Sequence, residues 1–398
     1  MKTRVLAAAA LTASAFTAQA GGIDRSSQFL GPLFEKGGET GSYVQFSYGH
    51  IEPNARADGV DDPLKSFDTP GLAFKTDLTD QISVALILEE PYGADIQYDD
   101  DSPFLGGGAG VSSNQISLIG RYKFNDNWSG IIGARALKVD GFIDTFTANP
   151  FFGGLPPIPV PALVALNAAP SLPISLEADS DYDFGAVVGV AYERPEIALR
   201  IALSYNEAIE AEFEGTQTFF TDVARTAILD QKEVQFGVSF PESINLEFQT
   251  GIAEGTLLFG SIRHSKYDGF NLTTPDTTAG VAGTPFAADV DGINFVNFAD
   301  DSTAYNIGVG RQFSERWSAS ISISYETDSV TPSTTALAPT SGSRGIAIGA
   351  RYVGDIATIS GGISYVEPGD QLVNSASGVA DFDDNDAIAF GFRIGFNF

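Results

Sequence analysis

The sequence predicts an all-β protein, an antiparallel transmembrane β-barrel of about fourteen strands. Three features support this fold class: apolar residues recur at every second position, the chain ends on an aromatic strand, and the first twenty residues resemble an export signal. The apolar stretch 156–176 contains six prolines, so it is not a continuous spanning helix. We therefore expect the membrane to be crossed by strands.

The N-terminus predicts export. Lys2 and Arg4 form a basic n-region, residues 5–16 form an apolar core, and Ala18-Gln19-Ala20 is a small-residue cleavage site. We assign residues 1–20 to a signal peptide, 21–40 to an N-terminal leader and 41–398 to the barrel. A membrane anchor is the alternative, but the apolar core is too short to span.

Composition excludes several classes of function. Removal of the signal peptide, with its two basic residues, takes the formal charge from −29 to −31. This charge argues against a nucleic-acid partner because phosphate binding needs a basic surface. The chain has no cysteine, so its stability does not depend on disulfides. A mean hydropathy of +0.03 suits a barrel with one lipid face and one wet face.

The strands follow from period-two alternation. The apolar positions, in chain order, are Val44, Phe46, Tyr48; Leu72, Phe74; Ile82, Val84, Leu86, Leu88; Ile116, Leu118, Tyr122, Phe124; Trp128, Ile131 and Ile132; Phe184, Val188, Val190, Tyr192; Ile197, Leu199, Ile201, Leu203, Tyr205; Ile244, Leu246, Phe248, Ile252; Leu258, Ile262; Tyr305, Ile307, Val309; Trp317, Ala319, Ile321, Ile323, Tyr325; Ile346, Ile348, Tyr352; and Ala357, Ile359, Ile363, Tyr365. This gives about fifteen strands, but single-chain bacterial barrels have an even number. Merging residues 232–240 into a loop leaves about fourteen, with short turns alternating with long loops.

The last strand has the clearest pattern. Its apolar face consists of Ile388, Phe390, Phe392, Ile394, Phe396 and Phe398. Its other face carries small or polar residues such as Gly391 and Arg393. A terminus of this kind resembles the closing strand of a bacterial outer-membrane barrel, which implies recognition by the barrel-assembly machinery during biogenesis. We expect a multi-pass protein of the bacterial outer membrane.

Three stretches carry a resemblance to one family. They are Pro91-Tyr92-Gly93; the segment from Tyr192-Glu193-Arg194-Pro195 through Ala202-Leu203-Ser204-Tyr205-Asn206; and Pro241-Glu242-Ser243-Ile244-Asn245 through Thr250-Gly251, with 256–263. Together with the strand count, they resemble the FadL/TodX family of outer-membrane transporters for long-chain fatty acids and other hydrophobic compounds.

The resemblance implies a monomeric fourteen-stranded barrel whose lumen is blocked by an N-terminal hatch. It also implies that ligand is captured among extracellular loops, passes to a lumenal site and leaves sideways near the third strand. The chain departs from the family pattern in its short leader, 21–40, and in the absence there of an Asn-Pro-Ala motif.

A loop groove is the predicted ligand-binding site. The loop 140–180 is long and unusually apolar, and the next long loop adds further phenyl groups. The candidate residues are Phe151, Phe152, Leu155, Ile158, Val160, Leu163, Val164, Phe219 and Phe220. Each buried methylene would contribute about 0.8 kcal/mol, so an alkyl chain needs no specific polar contact. The alternative is that the loops only pack on each other as a cap.

Inward-facing arginines are candidates for a carboxylate head group. Alternation places Arg121, Arg200 and Arg263 in the lumen, and a guanidinium matches a carboxylate bidentately. The alternative is that these arginines pair with lumenal glutamates to hold the interior of the barrel. The candidate partners are Glu89, Glu193, Glu247 and Glu326.

No cofactor or resident metal is predicted, and the sequence favours a protein that is not an enzyme. Asp383, Asp384 and Asp386 are a possible calcium cluster, but a solvated loop tip is the preferred interpretation. The chain has two histidines, His50 and His264, and no Gly-x-Ser-x-Gly motif. Gly106 to Gly110 lacks the Lys-Ser/Thr of a phosphate-binding loop.

We therefore predict passive outer-membrane transport of hydrophobic small molecules, above all long-chain fatty acids, through a hatch-gated barrel. A general diffusion porin would instead conduct ions freely. An outer-membrane lipase or esterase would hydrolyse esters and depend on His50 or His264. A structural or adhesive barrel would bind no small apolar ligand.

Overall fold

Alternating apolar and polar residues fold into strands that hydrogen-bond into one closed sheet. The structure, a computed structural model, describes residues 23–25, 28–153, 166, 168–281, 284–298, 300–328, 333, 335–375 and 378–398. The predicted signal peptide, 1–20, lies outside these ranges. None of the helices in the described ranges is both long and apolar enough to cross a membrane. Two short 3-10 helices, Gly31–Phe34 and Pro195–Ile197, have defined bounds.

The wall is built from nineteen strand segments. They are β1 (Ser42–Ala57), β2 (Phe67–Asp77), β3 (Ile82–Glu89), β4 (Gly93–Gln97), β5 (Gly108–Lys123), β6 (Trp128–Ala148), β7 (Ser171–Ser180), β8 (Asp183–Arg194), β9 (Leu199–Asn206), β10 (Ile209–Phe220), β11 (Ile228–Phe240), β12 (Ser243–Ala253), β13 (Thr256–Ser265), β18 (Ser302–Gln312), β19 (Trp317–Glu326), β20 (Ser343–Val353), β21 (Ala357–Pro368), β22 (Gln371–Asn374) and β23 (Val379–Asn397). Four short strands lie in an insert between β13 and β18: β14 (Asn271–Thr273), β15 (Thr277–Gly280), β16 (Ala287–Val290) and β17 (Asn294–Asn297).

The segments form a closed antiparallel barrel of fourteen wall strands, as the sequence predicts. Five wall strands each consist of two consecutive segments: β3 with β4, β7 with β8, β9 with β10, β11 with β12, and β21 with β22. The barrel closes because β1 pairs with β2 on one side and with β23 on the other, where Val44 lies opposite Phe396.

Short turns join the strands at the end of the barrel where the chain also terminates. These turns span 78–81, 124–127, 195–198, 254–255, 313–316 and 354–356. At this end the Thr40 amide donates to the carbonyl of Phe398 at 2.8 Å, which ties the leader to the last strand. Short turns at one end and long connections at the other match the predicted pattern.

The two faces of the wall differ as the alternation predicts. On β23, Phe390 is 47% exposed whereas its neighbour Ala389 is 0% exposed, because one points outward and the other into the lumen. Aromatic pairs lie next to the short turns, including Trp128 with Tyr192 and Trp317 with Tyr352. Such outward aromatic pairs suit the interface of a membrane.

Two loop predictions are wrong. Residues 232–240 were assigned to a loop, but they belong to β11, where Val238 lies opposite Ala211 of β10. The predicted loop 140–180 is strand at both ends, since β6 extends to Ala148 and β7 begins at Ser171. Fourteen wall strands remain because β11 and β12 form one wall strand.

The insert between β13 and β18 folds over the end of the barrel opposite the short turns. Its strands form two small hairpin pairings, β14 with β17 and β15 with β16. The Gly280 amide donates to Asp230 Oδ2 of β11 at 2.7 Å, which fixes the insert to the wall. Phe270 and Phe298 of the insert therefore lie close to the apolar inner faces of β10 and β11.

Candidate functional site

An apolar cavity of about 70 Å³ lies inside the wall formed by β5, β6, β7, β10 and β11. We call it the phenyl cavity. It is lined by Ile23, Ala94, Ala109, Val111, Val139, Asp140, Gly141, Phe142, Ile143, Leu176, Ala178, Phe213, Phe236, Val238, Phe240, Phe270, Leu272, Val296, Phe298 and Leu337. Asp140 is the one ionisable residue in this lining, so the cavity suits an uncharged group.

Strand alternation creates the phenyl cavity. On β10, Ala211 and Phe213 point inward, while Glu210, Glu212 and Glu214 point to the exposed outer face. The rings of Phe213 and Phe236 stack at 5.3 Å between centroids with a 5° interplanar angle. Sequence reasoning missed Phe213 and Phe236 because it assigned 232–240 to a loop and did not consider an apolar inner face.

Aromatic rings connect the cavity to the insert and to the third wall strand. Tyr92 lies 4.8 Å from Phe240, and Phe240 lies 5.9 Å from Phe270, measured between ring centroids. Phe298 lies 5.3 Å from Phe270 and 5.6 Å from Tyr267. The insert is thus part of the wall of the cavity.

The predicted loop-groove residues separate into three groups. Phe151 is 4% exposed and belongs to the same apolar cluster as the cavity residues, whereas Phe152 is 56% exposed. Phe219 and Phe220 are buried, but they lie in strand β10 and not in a loop, because the β10–β11 hairpin extends into the predicted loop. Leu155, Ile158, Val160, Leu163 and Val164 fall outside the described residues.

The N-terminal segment, which is the described part of residues 23–41, lies in the lumen and contacts the predicted arginines. The ring of Phe34 lies between two guanidinium groups, 4.7 Å from that of Arg121 and 4.6 Å from that of Arg200. The Leu30 amide donates to Glu247 Oε1 at 3.0 Å, and Leu33 is fully buried. These contacts hold the segment inside the barrel, with Phe34 close to the short turns 124–127 and 195–198.

Arg121 also has partners in the wall. It forms an ion pair with Glu193, and its Nε donates to Ser129 Oγ at 2.9 Å. The predicted alternative, pairing with lumenal glutamates, therefore describes Arg121. Together with Phe34, Glu193 and Ser129 surround this guanidinium.

Arg263 forms an ion pair with Asp24 of the N-terminal segment. Its side chain is 2% exposed, and Nη2 lies 3.5 Å from Asp24 Oδ2. Nη1 donates to Ser243 Oγ at 2.9 Å and to Asn245 Oδ1 at 3.3 Å. Burial raises the pKa of the Asp24 carboxyl, and the Arg263 guanidinium opposes this shift. Arg263 is thus engaged by the segment and by β12.

A break in the third wall strand receives the start of the N-terminal segment. Three residues, 90–92, lie opposite 113 and 114 of β5, so the strand bulges between β3 and β4. Pro91 has no amide to donate, and Ser113 Oγ bonds both backbone groups of Tyr92, at 2.8 and 2.6 Å. The Arg25 amide donates to Pro91 O at 2.7 Å, and the Gly93 amide donates to Ile23 O at 2.8 Å.

A second cavity of about 90 Å³ adjoins this break. Its lining includes Arg25, Lys65, Phe67, Ala94 and Leu337. The guanidinium of Arg25 lies 4.2 Å from the centre of the Phe67 ring. Burial lowers the pKa of Arg25, while the nearby carboxylates Glu90 and Asp95 oppose the shift. Sequence reasoning did not consider Arg25, because it lies in the leader and outside the strand alternation.

The histidines lie on the outer face of the wall. His50 Nδ1 lies 2.7 Å from Asp68 Oδ1, and His264 Nδ1 lies 2.9 Å from Thr303 Oγ1. Within the described ranges, neither histidine forms a hydrogen bond with a serine hydroxyl. Among the described residues, no group of three or more His, Cys, Asp or Glu is placed to hold a metal ion. Asp384 instead pairs with Arg56 at 3.2 Å.

Comparison with solved structures shows the same fold. A FadL homologue from Pseudomonas aeruginosa superposes with a TM-score of 0.70 at 14% identity, covering 90% of each chain. The toluene transporter TodX from Pseudomonas putida gives a TM-score of 0.64 at 14% identity, covering 92% of this chain and 91% of the other. The CymD monoaromatic hydrocarbon channel gives 0.64 at 12% identity, covering 92% and 90%.

Sequence comparison places the chain in a family. A search of curated proteins found no significant match. The family model described as outer membrane protein transport protein (OMPP1/FadL/TodX) matches residues 41–398, which is the whole predicted barrel. The chain belongs to this family, whose members transport hydrophobic compounds across the outer membrane.

Proposed function

We propose that this barrel passes long-chain fatty acids and other hydrophobic compounds across the outer membrane by passive diffusion, with the N-terminal segment acting as the hatch. One observation carries the proposal: Ile23 of the N-terminal segment is part of the wall of the phenyl cavity. A ligand in this cavity therefore touches the element that blocks the lumen. The proposed role of residues 21–40 as a hatch rests on the same contact.

The proposed route begins at the end of the barrel that carries the long connections. Buried apolar residues there, including Phe151 and Phe219, are continuous with the phenyl cavity. From the cavity, the route leads to the bulge at Pro91, where the N-terminal segment occupies the break in the wall. A sideways exit near the third strand fits this geometry.

Burial of apolar surface is sufficient to bind an alkyl chain without a hydrogen bond or an ion pair. Each methylene removed from water contributes about 0.8 kcal/mol, which for eight methylenes is about 6 kcal/mol before ordering costs. The phenyl groups add dispersion contacts on a flat aromatic surface. Uncharged aromatic hydrocarbons are a second candidate ligand class, favoured by the stacked rings of Phe213 and Phe236 and by the lack of a cation in the lining.

Binding measurements on purified protein test the proposal. Phe236→Ala removes one of the stacked rings and should weaken binding of palmitate about tenfold, because an aromatic pair and buried area are both lost. Phe46→Ala makes the same change on the outer face, where the ring is 51% exposed, and should leave affinity unchanged. Equal affinity in all three proteins would contradict the proposed cavity.

Two further measurements separate the alternatives. A general diffusion porin conducts ions steadily in a planar bilayer, whereas a lumen blocked by residues 28–41 should conduct poorly.

We also propose that the barrel is not an enzyme. Ester hydrolysis that disappears in His50→Ala or His264→Ala would instead support a lipase.

A further inference from the structure

We propose that Arg25 of the N-terminal segment receives the carboxylate of a single-chain amphiphile whose tail lies in the phenyl cavity. This inference rests on the proposed function, since it assigns the head-group end of the same ligand. It replaces the earlier candidates Arg121, Arg200 and Arg263 with a residue that neither alternation nor the family resemblance indicated.

Arg25 differs from Arg121 and Arg263 in its partners, and from Arg200 in that it lines a cavity next to the phenyl cavity. Arg121 is paired with Glu193, Arg263 with Asp24, and Arg200 stacks on Phe34. Within the described part of the chain, no carboxylate oxygen lies within the 4.0 Å ion-pair distance of the Arg25 guanidinium. The guanidinium lies instead over the face of the Phe67 ring, 4.2 Å from its centre.

The position of Arg25 suits a ligand that lies in both cavities. Ala94 and Leu337 line the phenyl cavity and also the second cavity. Ile23 lines the first and Arg25 lines the second, and two residues of extended chain span at most about 7 Å. A carboxylate at Arg25 would therefore lie one short step from an apolar tail in the phenyl cavity.

The surroundings of Arg25 hold its guanidinium in place. A Cβ atom at Gly93 would overlap Arg25 Nε, so the glycine provides the space in which the side chain lies. Stacking on Phe67 orients the planar group and leaves its edge open for a bidentate carboxylate. Partial burial reduces screening by water and salt.

Other charges around the site limit the affinity. Glu90 and Asp95 act on Arg25 electrostatically and oppose an incoming anion, whereas Lys65 lines the same cavity and favours one. The net field is therefore modest, and we expect geometry to contribute more than long-range attraction. A carboxylate bound at Arg25 also adds an ion pair to the segment that occupies the wall break, which a neutral ligand cannot do.

The test compares an acid with a neutral analogue of equal length. Full-length protein in detergent is titrated with palmitate and with hexadecanol. Arg25→Gln should weaken palmitate binding between about tenfold and about a hundredfold, the range for a hydrogen bond to a charged group, and should change hexadecanol binding less than about twofold. Arg25→Lys should lie between, because it keeps the charge and loses the fork.

Arg56→Gln is the matched control, because Arg56 is exposed and pairs with Asp384 on the outside of the barrel. The Arg25 amide, not its side chain, bonds Pro91, so Arg25→Gln and Arg25→Lys both keep this contact. An equal loss for both ligands, or no loss for palmitate, would overturn the assignment of Arg25. If wild-type protein binds neither ligand, the proposed function itself fails.

Discussion

Phe34 offers the sharpest test of how the N-terminal segment is held. Its ring lies between the guanidinium groups of Arg121 and Arg200, at 4.7 and 4.6 Å. A partly desolvated cation–π contact contributes about 1 kcal/mol, so Phe34→Ala should lose about 2 kcal/mol from the two together. The change also leaves two like charges facing each other. The equilibrium between seated and released segment should shift about thirtyfold towards release.

Single-channel conductance in planar bilayers measures this shift. If about one wild-type molecule in a thousand is released at any time, about three in a hundred should be released in Phe34→Ala. The fraction of time in a conducting state should rise accordingly. The segment should still be seated most of the time, because Leu33 remains buried and the Leu30 amide still bonds Glu247.

Phe34→Leu separates the two contributions. Leucine keeps most of the apolar volume and loses the aromatic face, so its conductance should resemble that of Phe34→Ala if the guanidinium contacts dominate. Conductance equal to wild type in Phe34→Leu would assign the effect to packing alone. Conductance equal to wild type in Phe34→Ala would refute the role of the ring in seating the segment.

Two other predictions concern the same contacts and the predicted groove. Glu247→Ala removes the acceptor of the Leu30 amide, so hydrogen exchange at Leu30 should quicken at least about tenfold, and an unchanged rate would show that burial alone protects it. Phe151→Ser should weaken palmitate binding about tenfold, because this ring is buried in the cavity cluster. Phe152→Ser should change palmitate binding less than about twofold, because that ring is exposed. Equal effects of the two substitutions would contradict this position of the site.

The parts of the fold that sequence predicted depend on local pattern. The alternation of β23 and the inward direction of Arg121 and Arg263 follow from period two along a single strand. The partners of these arginines were not predictable in this way. Leu30 and Glu247 are 217 positions apart, and only the closed barrel brings them together.

The missed strand β11 has a specific physical reason. The even strand count led to merging residues 232–240 into a loop, because a separate strand there would make fifteen and break the alternation of short turns and long loops. The outward residues of β11, which include Gln231, Glu233 and Gln235, are polar, so the segment also lacks the apolar outer face of a lipid-facing strand. In the structure these polar residues do point outward, while Val234 and Phe236 point inward to the cavity cluster. At β11 the wall therefore has a polar outer face and an apolar inner face.

The strand breaks explain how one chain produces both patterns. Between β9 and β10 the apolar residues keep odd numbers, from Leu203 to Phe213, yet Leu203 is exposed outside and Phe213 is buried inside. The irregular residues 207–208 shift the phase by one, which turns every following side chain to the other face. Breaks at 181–182 and 241–242 do the same in the neighbouring wall strands, so the three inversions coincide. The apolar surface therefore changes from the outer to the inner face of the wall at one level, and the phenyl cavity lies on the side of that level away from the short turns.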